Sequence, residues 1–248
     1  MYKISNSLNI RISGGSAYLK PSIFNYSDSR YLVKHNISFS KNVSMSKANN
    51  LNLDFGYRLI IDEFVLKLNQ AFFYTNIKNA VIPNYFASKS MPVFINNSHS
   101  SLITKGFDTN ILIALDELEL FADYSFVNVK KTENGITAPL ELTPKNKLNL
   151  TLTYEEEGKW RTGLEAFYTG KQYLEDETYS RSYWLLGAMF DKIFKDFSVI
   201  LNVENILDER QSKYDKVILH PYNDPTFSPL YMPIDGIVAN IAIWIKIR

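Results

Sequence analysis

Three histidines, two acidic triplets and one aromatic loop are the residues whose types could do chemistry. His35, His99 and His220 are the only imidazoles, and neutral imidazole is a common metal ligand at ordinary pH. They fall in three separate polar stretches with no ligand spacing, so they read as solvated loop histidines and no metal site is assigned. Glu155, Glu156 and Glu157, and likewise Glu175, Asp176 and Glu177, could suggest acid–base pairs or a cation site. Both triplets fall at expected turns or loops, and like charges so close together resist joint burial, which makes them solvated turn residues.

The segment with Tyr214, His220, Pro221, Tyr222, Asn223, Asp224, Pro225 and Phe227 is richer. Exposed aromatics often mark recognition surfaces, so Tyr214, His220, Tyr222, Asp224 and Phe227 are the candidate ligand contacts, although proline-bounded loop packing explains them equally well. No Ser-His-Asp order, phosphate loop or paired catalytic carboxylate stands out. Cysteine is absent, which removes disulfides, thiolate metal sites and a cysteine nucleophile. The expectation is a protein with no catalytic residues and no cofactor.

The elements that must position these residues are strands. No apolar run approaches the ~18 residues of a membrane-spanning helix. Instead, period-two alternation recurs along the chain. Leu51, Leu53, Phe55, Tyr57 and Leu59 alternate with Asn52, Asp54, Gly56 and Arg58, and Leu118, Leu120, Ala122, Tyr124 and Phe126 oppose Glu119, Asp123 and Ser125. Leu8, Ile10 and Ile12 begin the pattern; Ile237, Ala239, Ile241, Ile243, Ile245 and Ile247 close it. The polar parity holds Arg11, Asp54, Arg58, Lys67, Asp123, Arg161, Glu165 and Glu204, which in a barrel would face the lumen.

A soluble sandwich also alternates, so connection lengths decide. Short links near Ile61 to Glu63, Leu115 to Glu117, Glu155 to Gly158 and Phe194 to Asp196 take turns with long polar stretches. Those stretches are Gly14 to Lys47, Asn79 to Ser100, Lys130 to Pro144, Gly170 to Arg181 and Asp208 to Asp235. Outer-membrane barrels join their strands in this way, with tight periplasmic turns and long outer loops. Roughly ten strands are legible. Aromatic residues make up 14% of the chain, which suits interfacial girdles, and 27 basic against 26 acidic residues leave no field for a nucleic-acid partner. The expectation is an all-β, antiparallel transmembrane β-barrel in contact with outer-membrane lipid.

Several segments, in order, resemble the barrel of TonB-dependent outer-membrane receptors. They are Gly14-Gly15-Ser16-Ala17-Tyr18-Leu19-Lys20-Pro21-Ser22, Ala48-Asn49-Asn50-Leu51, Ala71 to Asn79, Thr104-Lys105-Gly106-Phe107-Asp108, Leu142 to Leu150, Phe167 to Tyr173 and, best of all, Asn202-Val203-Glu204-Asn205-Ile206-Leu207-Asp208-Glu209-Arg210. Ser46 stands where that family often has Glu, and Arg248 where such barrels usually end in an aromatic residue. The resemblance covers nearly the whole chain, 1–248, and implies the C-terminal part of a barrel of about 22 strands.

It also implies partners absent from the chain: a plug domain, the remaining barrel strands and a TonB-type energy-coupling protein. The implied cargo is a small-molecule or metal-chelate substrate such as an iron-siderophore, haem, cobalamin or glycan, taken up at the outer membrane of a Gram-negative bacterium. Met1 then begins a truncated product without a signal sequence, expected to form an open curved sheet in isolation. The alternatives are a passive porin-like or adhesive barrel, marked by an unplugged lumen, and a soluble β-sandwich module, which would hide its apolar stripes in a shared core.

Overall fold

The computed structural model describes residues 2–20, 37–39, 43–80, 93–95, 97, 99–174 and 176–246. Alternation over this many segments leaves the backbone little choice but extended structure, and the strands follow in chain order: β1 (Tyr2–Lys3), β2 (Leu8–Leu19), β3 (Ile37–Phe39), β4 (Ser46–Ile61), β5 (Phe64–Lys78), β6 (Val93–Ile95), β7 (Ser100–Leu115) and β8 (Leu118–Glu133). Then come β9 (Ile136–Pro139), β10 (Asn146–Glu156), β11 (Trp160–Thr169), β12 (Tyr183–Ile193), β13 (Phe197–Glu204), β14 (Ile218–Leu219), β15 (Thr226–Phe227) and β16 (Val238–Ile245).

Twelve of them form one antiparallel sheet in the order β1-β2-β4-β5-β7-β8-β10-β11-β12-β13-β16, with β9 added beside β8. The first and last strands do not pair among the described residues, so the sheet is open. Because neighbours along the path run antiparallel, the β4–β5, β7–β8, β10–β11 and β12–β13 turns share one end. The β2–β4, β5–β7, β8–β10, β11–β12 and β13–β16 connections share the other. Asp62 and Asp116 open two of the short turns at φ 50°, the left-handed region that Asp tolerates better than most residues.

Register extends the two parities across the sheet. Leu120 pairs with Leu152, Leu152 with Leu164, Leu164 with Ala188 and Ala188 with Val203, while Leu201 faces Ile241. One face is therefore apolar from β2 to β16. It does not close on a core: Leu201 is 44% exposed and Ile241 72%, and Ala80, Tyr231 and Met232 are the only buried apolar residues among those described. A soluble sandwich would bury that face, so the open two-faced sheet excludes it.

Two expected loops are shorter than the sequence reading placed them. β2 runs on through the Gly14–Leu19 segment, where Gly14 and Gly15 let the chain approach Asn50 closely. The Lys130 to Pro144 stretch is mostly a hairpin, because Asn134 and Gly135 take φ 49° and 83°, the paired left-handed geometry of a tight I′ turn.

Candidate functional site

The polar face carries the charges. Register puts Arg11, Asp54, Arg58, Lys67, Asp123, Arg161, Glu165 and Glu204 all on the side opposite the leucine rows. Arg11 pairs with Asp54 at 3.1 Å, Asn149 donates to Asp123 at 3.1 Å, and Asn202 donates to Glu204 at 2.8 Å. Arg161 lies 3.6 Å from Asp191, whose other carboxylate oxygen is buried with no hydrogen-bond partner among the described residues. Arg58 faces Lys67 directly across β4 and β5, a like-charge pair that costs stability unless an anion or water lies between.

The long-connection end builds the second part of the site. Gln211, buried on a single 3-10 turn (Gln211–Lys213), donates to the Pro229 carbonyl at 2.9 Å and accepts from the Tyr231 and Met232 amides at 2.9 and 3.4 Å. Its own amide reaches the Pro233 carbonyl at 2.8 Å. Gln172, buried in the β11–β12 connection, donates to the Tyr231 carbonyl at 2.8 Å. Two long loops are thereby fastened to each other. They flank an open cleft of about 670 Å³ lined by Leu174, Tyr179, Arg181, Lys216 and Tyr231 among others. Pro233, Asp235 and Gly236 line a second, open cleft together with Phe167 and Leu185 of the polar face.

The five residues proposed from sequence as ligand contacts are not gathered around the first cleft. Tyr214 adjoins it, with the Arg181 guanidinium 4.9 Å over its ring and its hydroxyl donating to Glu209. His220 meets Tyr222 in a tilted ring contact at 3.9 Å in the exposed β14–β15 hairpin, which also holds Asp224 and Phe227. His99 lies in the β5–β7 connection, far along the path from His220, and His35 and Glu175 fall outside the described residues. No group of three metal-ligating side chains occurs among the described residues. Gln172, Gln211 and Arg181 were missed, since a polar residue in a polar loop carries no periodic signal.

The sequence matches the family model of TonB dependent receptor-like β-barrels over residues 1–206. The chain belongs to that family. The fold agrees with solved iron and siderophore receptors at low identity. The ferric-catecholate import receptor Fiu of Escherichia coli K12 gives a TM-score of 0.64 at 15% identity, over 98% of this chain and 34% of that one. The FrpB iron transporter of Neisseria meningitidis gives 0.69 at 12%, over 98% and 38%. The siderophore receptor PirA of Pseudomonas aeruginosa gives 0.58 at 18%, over 84% and 35%. The chain thus spans about a third of the length of these structures. No curated protein matches it.

In this TonB-dependent receptor barrel, the segment most like the family's has a structural task. The Asn205 side chain donates to the Glu209 and Asp235 carbonyls and accepts from the Glu209 amide, closing the β13–β16 loop at its base. Lys213, 2.8 Å away, holds the Asp208 carboxyl below its ordinary range. Burial, reinforced by a hydrogen bond to Asp215, pushes the Tyr231 phenol up to about 12. A raised acid favours the folded loop while neutral. Its contribution is therefore complete below the ordinary phenol value near 10 and lost as pH rises toward 12. Absorbance titration should show a late-ionising tyrosine component that Tyr231→Phe reduces by one phenol, with Tyr173 and Tyr214 also raised; an unchanged late component in that variant contradicts the assignment.

Proposed function

We propose that the chain, over residues 1–248, forms wall strands of an outer-membrane transport receptor, with its apolar face in lipid and its polar face on the lumen. The observation that carries this reading is the coincidence of one continuous apolar face with connections sorted by length to opposite ends. Aromatic residues bracket that face: Tyr154, Trp160 and Phe190 cluster near the short turns, and Tyr168 meets Trp184 in a tilted contact at 5.0 Å near the long loops. Trp160 and Tyr168 lie eight residues apart on β11, about 27 Å along a strand. With the usual strand tilt that is comparable to the ~25 Å apolar band of such barrels.

The long-loop rim faces outward and captures a small solute. The polar face lines its route with the plug, and a TonB-type coupling protein supplies the energy. The similar structures, an import receptor for ferric catecholates, an iron transporter and a siderophore receptor, support an iron chelate as cargo. In this reading Arg11, Asp54, Arg58, Lys67, Asp123, Arg161, Glu165 and Glu204 meet plug or water, and Tyr214, His220, Tyr222, Asp224 and Phe227 belong to the capturing rim.

Since the chain has no cysteine, single replacements report sidedness without background. Tyr222→Cys should react with an impermeant maleimide in intact cells, and Lys195→Cys only after the outer membrane is permeabilised. The reverse pattern overturns the orientation. Loss of ferric-chelate uptake on collapsing inner-membrane energy checks the transport step.

A further inference from the structure

We propose that the apolar-parity surface of β4, β5, β7 and β8, where these strands reach the long-loop end, binds the phosphate groups of an anionic lipid headgroup. The inference rests on the proposed placement of the apolar face in lipid and adds the chemistry of the leaflet it meets. Pairing runs unbroken from Phe64 to Lys78 against both neighbours of β5, and from Ser100 to Leu115 against β8, so parity is kept along each strand. The parity that holds Leu53, Phe72, Phe107 and Phe126 therefore also holds Lys47, Lys78, Lys105 and Lys130, nearer the long loops. Lys47 pairs directly with Lys78, Lys105 with Tyr74 and Asn128, and Lys130 with Ile103.

The charge on that surface has one sign. Asp54, Asp108, Glu119, Asp123 and Glu133 are the acids of β2, β4, β5, β7 and β8, and all of them take the opposite parity. Lys78, Lys105 and Lys130 are exposed and Lys47 is half-buried, its Nζ 5.5 Å over the Tyr18 ring. None of the four lysines has a carboxylate within ion-pair distance among the described residues. At the short-turn end, by contrast, Lys159 pairs with Glu156. Four adjacent strands span about 14 Å, so the four ammonium groups repel one another unless an anion lies among them.

The apolar rows beneath decide what carries that anion. Ile12, Leu53, Phe72, Phe107 and Phe126 form one row across the sheet on the short-turn side of the lysines. A lipid has the same order, phosphate above acyl chains, and a lysine stem lying along apolar surface lifts its ammonium to headgroup level. Free phosphate would meet the charges and leave the apolar row uncovered, whereas an amphiphile satisfies both. Each lysine near the membrane surface strengthens attachment to anionic lipid about fivefold.

The test uses the full chain purified in dodecyl maltoside and titrated calorimetrically with mixed micelles carrying diphosphoryl lipid A, a phosphorylated and acylated disaccharide. The dephosphorylated lipid with the same acyl chains and inorganic phosphate are the comparison probes. The diphosphoryl lipid should bind at least tenfold tighter than its dephosphorylated form, and inorganic phosphate should not bind. Replacing the pair Lys78→Gln and Lys105→Gln should weaken the diphosphoryl lipid about 25-fold, at about fivefold per charge. Lys78→Arg with Lys105→Arg should keep the parent affinity, and Lys159→Gln, the same charge change at the opposite end, should leave it unaltered. The proposal is overturned if the dephosphorylated lipid or inorganic phosphate binds as well as the diphosphoryl lipid, if the glutamine pair binds like the parent, if the arginine pair loses as much as the glutamine pair, or if Lys159→Gln weakens binding equally. None of these results alters the maleimide sidedness pattern, so failure here is distinct from failure of the transport reading.

Discussion

Leu150→Arg is expected to destabilise the membrane-inserted protein by about 2–4 kcal/mol, whereas Thr151→Arg, the next residue, is expected to cost under about 1 kcal/mol. The two positions share β10 and differ only in face. Leu150 pairs with Ala122 and Ala166 in the apolar row, and Thr151 with Phe121 and Glu165 on the polar side. An arginine at the first position must take its charge into hydrocarbon or bend toward an interface, and the penalty is largest near midplane, which the middle of an eleven-residue strand approaches. At the second, Glu165 stands directly opposite as a counter-ion. Reversible unfolding in bilayers by urea or guanidinium measures both. Equal costs, or a larger cost at Thr151, would place lipid on the wrong face and remove the physical basis of the barrel reading.

That contrast depends on a parity legible in the sequence for some strands and hidden in others. β4 alternates cleanly from Leu51 to Leu59 because water or polar groups meet one face and an apolar medium the other. β12 does not, since Leu185 and Met189 share the polar parity with Asp191. Leu185 pairs with Phe167, and both line a cleft shared with Pro233, Asp235 and Gly236 of the β13–β16 loop, so a long connection borders this part of the polar face. Alternation fails where a long connection borders the sheet, which no periodicity count over β12 alone can foresee.

The Asn134-Gly135 hairpin was readable, as that dipeptide between extended segments is a strong turn signal. It lies inside a long polar stretch, where composition alone does not separate a tight turn from an extended loop. The rim was located correctly as a set of long connections, yet its architecture was not legible. The aromatic residues that draw attention, Tyr222 and Phe227, are exposed on the hairpin, while the cleft between the loops depends on two glutamines. A glutamine signals burial only through partners that sequence separation conceals: Gln172 finds Tyr231, and Gln211 finds Pro229.

Gln211→Ala is accordingly expected to release the β13–β16 loop while leaving β13 and β16 paired. The side chain is 1% exposed and satisfies the Pro229 carbonyl and the Tyr231 amide at 2.9 Å each. Truncation leaves both groups without a partner. A buried polar group stripped of its hydrogen bond costs about 1–3 kcal/mol, so the loss should reach roughly 2–6 kcal/mol for the pair, unless the loop opens to let water in. Local opening is the cheaper outcome for a segment at the rim. It would carry Tyr231 away from Gln172 and dismantle the wall of the cleft. Hydrogen exchange at the Tyr231 and Met232 amides should therefore accelerate at least thirtyfold, the equivalent of about 2 kcal/mol, while amides of β13 that bond to β16 keep their rates. Gln211→Met separates the causes, because it fills nearly the same volume with no hydrogen-bonding amide. If the methionine variant exchanges as slowly as the parent, packing rather than hydrogen bonding holds the loop, and the account given for Gln211 is wrong.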